Sequence, residues 1–190
     1  MSKHLSERFE EIGRNFLETA QSSYPGEVAR AADMIGRCFE DGGKLLVFGN
    51  GGSAADSQHF VGELVVRFQT TRKALPAIAL VTDSVVLTAC ANDVAFETVF
   101  ARQIEALGRK GDVAFAISTS GNSPNIIAGL RAARACGMQT VLLTGSSASA
   151  AIPLADMVLA AAGANTARIQ EIHLATYHLI CELLDTRFTP

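Results

Sequence analysis

His59 and Glu63 stand four residues apart in a segment of helical pattern, so their side chains share one helix face. An imidazole and a carboxylate at that spacing can ligate a divalent metal or work as a proton-transfer pair. The same spacing also serves a plain His–Glu hydrogen bond on a solvated face. The chain has only four histidines, at positions 4, 59, 173 and 178. His173 and His178 are five apart on a helical stretch, about 140° around its axis, so they point to different faces and cannot both serve one site.

A second cluster is Ser118-Thr119-Ser120-Gly121-Asn122-Ser123, which places four hydroxyls and a glycine in six residues ahead of a helical pattern. Hydroxyls and free backbone N–H groups at a helix start bind an anion without a cationic side chain. Capping alone would need a single hydroxyl. The lysine of a G-x-x-x-x-G-K-[ST] phosphate loop is missing. Gly49-Asn50-Gly51-Gly52-Ser53 also lacks the last glycine of G-x-G-x-x-G. A small phosphoester suits these loops better than a dinucleotide.

The elements that must carry these groups follow from hydrophobic period. Two helical stretches lead, one around 3–22 with Leu5, Phe9, Ile12, Phe16 and Leu17, the other from Pro25 to Gly42-Gly43. Apolar runs then begin at Lys44, Ala77, Val113, Thr140 and Met157. They alternate with helical patterns to about Phe68, near 96–108, at 123–136, briefly after 143, and at about 165–187. Continuous apolar strands between helices describe a parallel sheet covered on both faces. We therefore expect a single α/β domain over 1–190, a three-layer αβα sandwich on a five-stranded parallel sheet. Residues 44–190 form its core and 1–43 its leading helices. If the strand order is 2-1-3-4-5, the loops after the first and third strands meet at the switch point, where such sheets bind ligands.

Composition narrows the class. The 190 residues are 48% hydrophobic and 18% charged, which excludes a disordered chain. No run approaches the ~18 apolar residues of a membrane span. A net charge of −3 gives no electrostatic case for nucleic acid. Cys38, Cys90, Cys136 and Cys181 show no C-x-x-C pairing and read as buried free thiols in a reducing compartment. With a polar N-terminus lacking an apolar signal core, the chain is expected in the cytoplasm. Its mean hydropathy of +0.24 suggests apolar surface covered by other subunits.

Gly49-Asn50-Gly51-Gly52-Ser53 together with the serine loop resembles the sugar isomerase (SIS) domain, flavodoxin-like in fold, over nearly the whole chain. His59-Phe60-Val61-Gly62-Glu63-Leu64, Ala91-Asn92-Asp93 and Arg168-Ile169-Gln170-Glu171-Ile172-His173, ending in His178, are similar to the phosphoheptose isomerases. The resemblance implies one Zn2+ per subunit on His59, Glu63, Gln170 and His178. It places the substrate phosphate on Ser118, Thr119, Ser120 and Ser123. It places the sugar hydroxyls on Asn50, Gly51, Gly52, Ser53, Asn92 and Asp93, and Gln170 is counted with these substrate contacts as well. It further implies a homotetramer built partly by residues 1–43, with active sites at subunit interfaces. Gln is an uncommon zinc ligand. Gln170 and His178 also stand about 80° apart around the axis and roughly 12 Å along it. Either the metal lies between them or more than one chain builds the site. His173 is expected in the core or an interface, and Arg67 is read as ion-pair support for Glu63.

The implied reaction converts D-sedoheptulose 7-phosphate to D-glycero-D-manno-heptose 7-phosphate, the first step toward the ADP-heptose of lipopolysaccharide core. Glu63 is expected to move the carbon-bound proton and His178 to serve the sugar oxygens. One alternative is a non-catalytic SIS protein, either a sugar-phosphate sensor or a replication-initiation partner. Another is an isomerase for a different phosphosugar. Two departures from similar isomerases bear on substrate preference: Thr144-Gly145-Ser146-Ser147-Ala148-Ser149 lacks a glycine pair, and Ala167 stands where some carry Asp.

Overall fold

Three of the apolar runs form strands β1 (Leu45–Gly49), β3 (Val113–Ser118) and β4 (Gln139–Gly145), buried along nearly their whole length. With β2 (Ala77–Ala79) and β5 (Met157–Ala161) at the edges they make one parallel sheet of order β2-β1-β3-β4-β5. The computed structural model describes residues 2–146 and 148–189, so Ser147 of the segment after β4 lies outside the described residues.

Successive side chains of a strand face opposite layers, and the two cores divide accordingly. Leu45, Val47, Phe115, Ile117, Val141 and Leu143 face one layer. That layer consists of α2 (Tyr24–Glu40), α3 (Gly52–Val65) and α7 (Thr166–Phe188). Leu46, Phe48, Ala114, Ala116 and Leu142 face the other. There lie α4 (Ser84–Asp93), α5 (Val99–Leu107) and α6 (Pro124–Ala135). The three-layer sandwich is as expected.

The leading helices differ in how they are used. α1 (Ser2–Ala20) has helical spacing of its apolar residues, yet Leu5, Phe9 and Leu17 are 54%, 73% and 62% exposed. By contrast α2 buries Val28, Ala31 and Ile35 against the sheet and α7. It ends where Gly42 adopts φ +80° and the N–H groups of Asp41, Gly42 and Gly43 close onto Arg37, Phe39 and Cys38.

Some expected elements change. The helical pattern placed to Phe68 stops at Val65, and the one near 96–108 is present as α5 after an opening 3₁₀ turn, Phe96–Thr98. The brief helix after β4 is also one 3₁₀ turn, Ile152–Leu154. α4 has no counterpart among the expected elements. Asp83 caps it by accepting from the N–H groups of Val85 and Val86, and Cys90 is its one buried residue, so it leaves little apolar periodicity. All four cysteines are free; Cys136 is half-buried rather than buried, and burial pushes the Cys38 thiol up to about 11. Among the described residues no helix is long and apolar enough to cross a membrane.

Candidate active site

At the carboxyl end of the sheet, the turn after β1 leads directly into α3. Gly51 takes φ +55°, and Ser53 is buried beneath the turn with its N–H bonded to the Asn50 carbonyl. The Asn50 side chain pairs reciprocally with Asn125 at the start of α6, at 2.8 and 2.9 Å. This amide pair ties the β1 turn to the β3 loop across the switch point, so the two loops are neighbours as the strand order requires.

The serine loop is shaped by its own hydroxyls. Ser118 Oγ accepts from the Gly121 N–H at 3.1 Å, and Ser120 Oγ accepts from Asn122 at 3.2 Å. Gly121 has φ +60°, a conformation open to glycine. Ser123 occupies the N-cap position of α6 but forms no capping hydrogen bond with its side chain. Its hydroxyl stays available at a helix start, which favours the anion reading of the loop over a merely capped turn.

Two turns into α3, His59 Nε2 lies 3.0 Å from Glu63 Oε1. α7 packs beside α3 and brings in His178, whose ring stands edge-on to His59 with centroids 5.0 Å apart. One ligand atom from each of His59, Glu63 and His178 falls within 4.8 Å of the other two. His178 Nε2 is buried with no hydrogen-bond partner. Burial, and then the neighbouring His59, hold its pKa below the ordinary histidine value, against the pull of Glu63 and Glu182. Two imidazoles and a carboxylate converging with one imidazole nitrogen unsatisfied fit a divalent metal such as zinc.

Gln170 sits elsewhere on α7. It presses on the glycine-rich turn so closely that a Cβ on Gly52 would approach its Nε2 to 2.6 Å. With Phe16, Asp56, Ala167, Glu171 and Leu174 it lines an open cavity of about 440 Å³. Its side chain forms no hydrogen bond to His59, Glu63 or His178 among the described residues. Asn92 and Asp93 lie exposed at the end of α4, bonded to each other at 2.7 Å, and not to the rest of the site. His173 is in the core as expected: it is fully buried, its Nε2 lies 3.1 Å from the Thr144 carbonyl, and burial pushes its pKa down to about 4.

The support expected from Arg67 is absent. Its guanidinium is exposed, donates only to the Phe68 carbonyl at 3.4 Å and forms no ion pair among the described residues. The supporting cation is Arg72, wholly buried, which donates to the Glu63 and Leu64 carbonyls at 2.9 and 2.8 Å and pairs with Asp185. Sequence reasoning also passed over Asp56 and Tyr177. The Tyr177 hydroxyl lies 2.9 Å from His59 Nδ1 and donates to Asp56 Oδ1 at 3.4 Å. Asp56 is one helical turn before His59 and Tyr177 adjoins His178, which is the only local signal either gives.

Known proteins resemble this chain in sequence and in fold. The SIS domain family model matches residues 8–145. The phosphoheptose isomerase of Roseiflexus sp. is 50% identical over 167 residues, 88% of this chain and 84% of that one. The phosphoheptose isomerase structure from Francisella tularensis has a TM-score of 0.93 at 37% identity and covers 97% of both chains. The one from Neisseria gonorrhoeae has a TM-score of 0.90 at 38% identity, over 97% of this chain and 98% of that one. With a family model over most of its length and relatives of this identity and coverage, the chain belongs to the SIS domain family and, within it, to the phosphoheptose isomerases.

Proposed function

We propose that this isomerase interconverts D-sedoheptulose 7-phosphate and D-glycero-D-manno-heptose 7-phosphate by a metal-assisted enediol route. The product would enter the route to the ADP-heptose of lipopolysaccharide core. The observation that carries the reading is the convergence of His59, Glu63 and His178 between α3 and α7. A non-catalytic sugar-phosphate sensor would have no need of a carboxylate and two imidazoles held together there.

The serine loop holds the phosphate through Ser118, Thr119, Ser120 and Ser123 and the N–H groups at the start of α6. Asn50, Gly51, Gly52, Ser53, Asn92, Asp93 and Gln170 hold the open-chain sugar. Glu63 takes the proton from C1 of the ketose and returns it at C2. His178 Nε2 exchanges protons with the oxygens on those carbons, so that the carbonyl and hydroxyl change places. Zinc held by His59, Glu63 and His178, with Gln170 as a further ligand where more than one chain builds the site, would supply Lewis-acid polarisation of the carbonyl. Glu63 would then be a loose ligand, or exchange roles between metal and proton during turnover. Subunits assemble into a cytoplasmic homotetramer through α1 and the exposed side of α7.

The test is an assay of the purified chain with sedoheptulose 7-phosphate, before and after chelation and with zinc restored. Aldoheptose should form, fall on chelation and return with zinc. Glu63→Gln should keep the fold and lose activity by about 100-fold or more. No aldoheptose under any condition would overturn the reading, and near-wild-type activity of Glu63→Gln would overturn the assignment of the base.

A further inference from the structure

Four polar groups form an unbroken line behind and through the candidate metal centre. Asp56 Oδ1 accepts from the Tyr177 hydroxyl at 3.4 Å, the same hydroxyl lies 2.9 Å from His59 Nδ1, and His59 Nε2 lies 3.0 Å from Glu63 Oε1. Two helices supply the members, α3 carrying Asp56, His59 and Glu63, and α7 carrying Tyr177. The Tyr177 ring is fully buried and stacks on Phe60 at 5.5 Å, so its hydroxyl has little freedom to turn elsewhere.

A phenol has one proton to give and can also accept. An ionised carboxylate only accepts, so in the Asp56 contact the proton belongs to Tyr177. Its oxygen can at the same time accept from a proton on His59 Nδ1, 2.9 Å away, in the tautomer that frees Nε2 as a metal ligand. That leaves the Nε2 lone pair facing the Glu63 carboxylate. Nε2 and the carboxylate 3.0 Å from it can then share a cation, and the unsatisfied Nε2 of His178 offers a third lone pair to the same place.

We propose that Tyr177, backed by Asp56, is the positioning residue of the metal centre. It holds His59 with Nδ1 protonated and Nε2 presented as a ligand alongside Glu63 and His178. Metal-bound histidines commonly donate their second N–H to a carboxylate or carbonyl, and here a phenol relays that bond to a carboxylate. The relay orients the ring, and it lets the negative charge of Asp56 strengthen the imidazole as a donor without taking up a coordination position. Asp56 also lines the open cavity that Gln170 lines, so the back of the relay meets that cavity at one side chain.

This inference rests on the metal reading above, and the two are separable by experiment. Zinc affinity of the full chain is measured by competition with a chromophoric chelator for the wild type, Tyr177→Phe and Asp56→Ala. The His59 Nδ1 proton of the zinc-loaded protein is followed by ¹⁵N–¹H NMR. Tyr177→Phe keeps the stacked ring and should weaken zinc binding about 10- to 100-fold. It should also shift the His59 Nδ1–H signal. Asp56→Ala leaves all rings in place, guards against misfolding of the first variant, and should weaken binding in the same direction. If the wild type binds zinc and both variants bind it within twofold of wild type, the positioning role is overturned while the metal centre stands. A wild type that takes up no zinc overturns both.

Discussion

The guanidinium of Arg72 meets the carboxylate of Asp185 at 2.7 Å with both side chains almost wholly removed from water. The two groups share their remaining bonding capacity with the backbone around them. Arg72 donates to the carbonyls of Glu63 and Leu64, and Asp185 accepts from the N–H groups of Gln69 and Thr70. The pair therefore clamps the last turn of α3, the turn that carries Glu63, to α7, the helix that carries His178. It also satisfies backbone groups that the irregular segment after α3 would otherwise leave buried and unpaired.

Removing one member should leave the other buried and unpaired. Arg72→Met or Asp185→Asn is expected to cost about 3–5 kcal/mol in urea unfolding. Activity should fall further than stability alone explains, because the turn holding Glu63 loses its anchor. A loss below about 1 kcal/mol, the range of an exposed pair, would show that the clamp does not matter.

His173 predicts an acid-side loss of stability. In the unfolded chain its imidazole takes up a proton near the ordinary value of 6.5, whereas burial in the fold lowers that value to about 4. Between those values the unfolded state binds more protons, so stability falls as pH falls, by ~3 kcal/mol across the window. His173→Met should be less stable at neutral pH, having lost the bond to Thr144, but should show a flatter stability profile from pH 6.5 to 4. Parallel profiles for the two proteins would remove His173 as the cause.

Gly121 should be sensitive in a way that separates the serine loop from the sheet. A side chain there meets a left-handed backbone angle, φ +60°, and collides with the Ser149 hydroxyl. The strained conformation costs roughly 1–2 kcal/mol. Gly121→Ala is expected to raise KM for the phosphosugar several-fold, with a small drop in Tm. An unchanged KM would mean that the loop does not hold the phosphate.

The exposed face of α1 predicts assembly. Phe9 and Leu17 are 73% and 62% exposed on one helix, and Leu174 and Leu179 of α7 are 42% and 47% exposed. Phe9→Glu with Leu17→Glu should convert the proposed tetramer to smaller species in sedimentation equilibrium. A tetramer that survives both substitutions would place the interface elsewhere.

The sequence by itself determined the local features of this protein. β1, β3 and β4 are legible because strands covered on both faces need unbroken apolar runs, and these three are buried along nearly all of their length. The His59–Glu63 pair is legible because helix geometry alone sets an i,i+4 contact. α4 is not, because an exposed helix with a single buried residue imposes no period. Tertiary structure alone decided what meets across the chain. His178 reaches His59, Tyr177 reaches Asp56, and Arg72 rather than Arg67 supports Glu63, all because α7 packs against α3 at one angle and depth. Such contacts depend on how two helices seat on a shared sheet face, and no spacing along either helix encodes that.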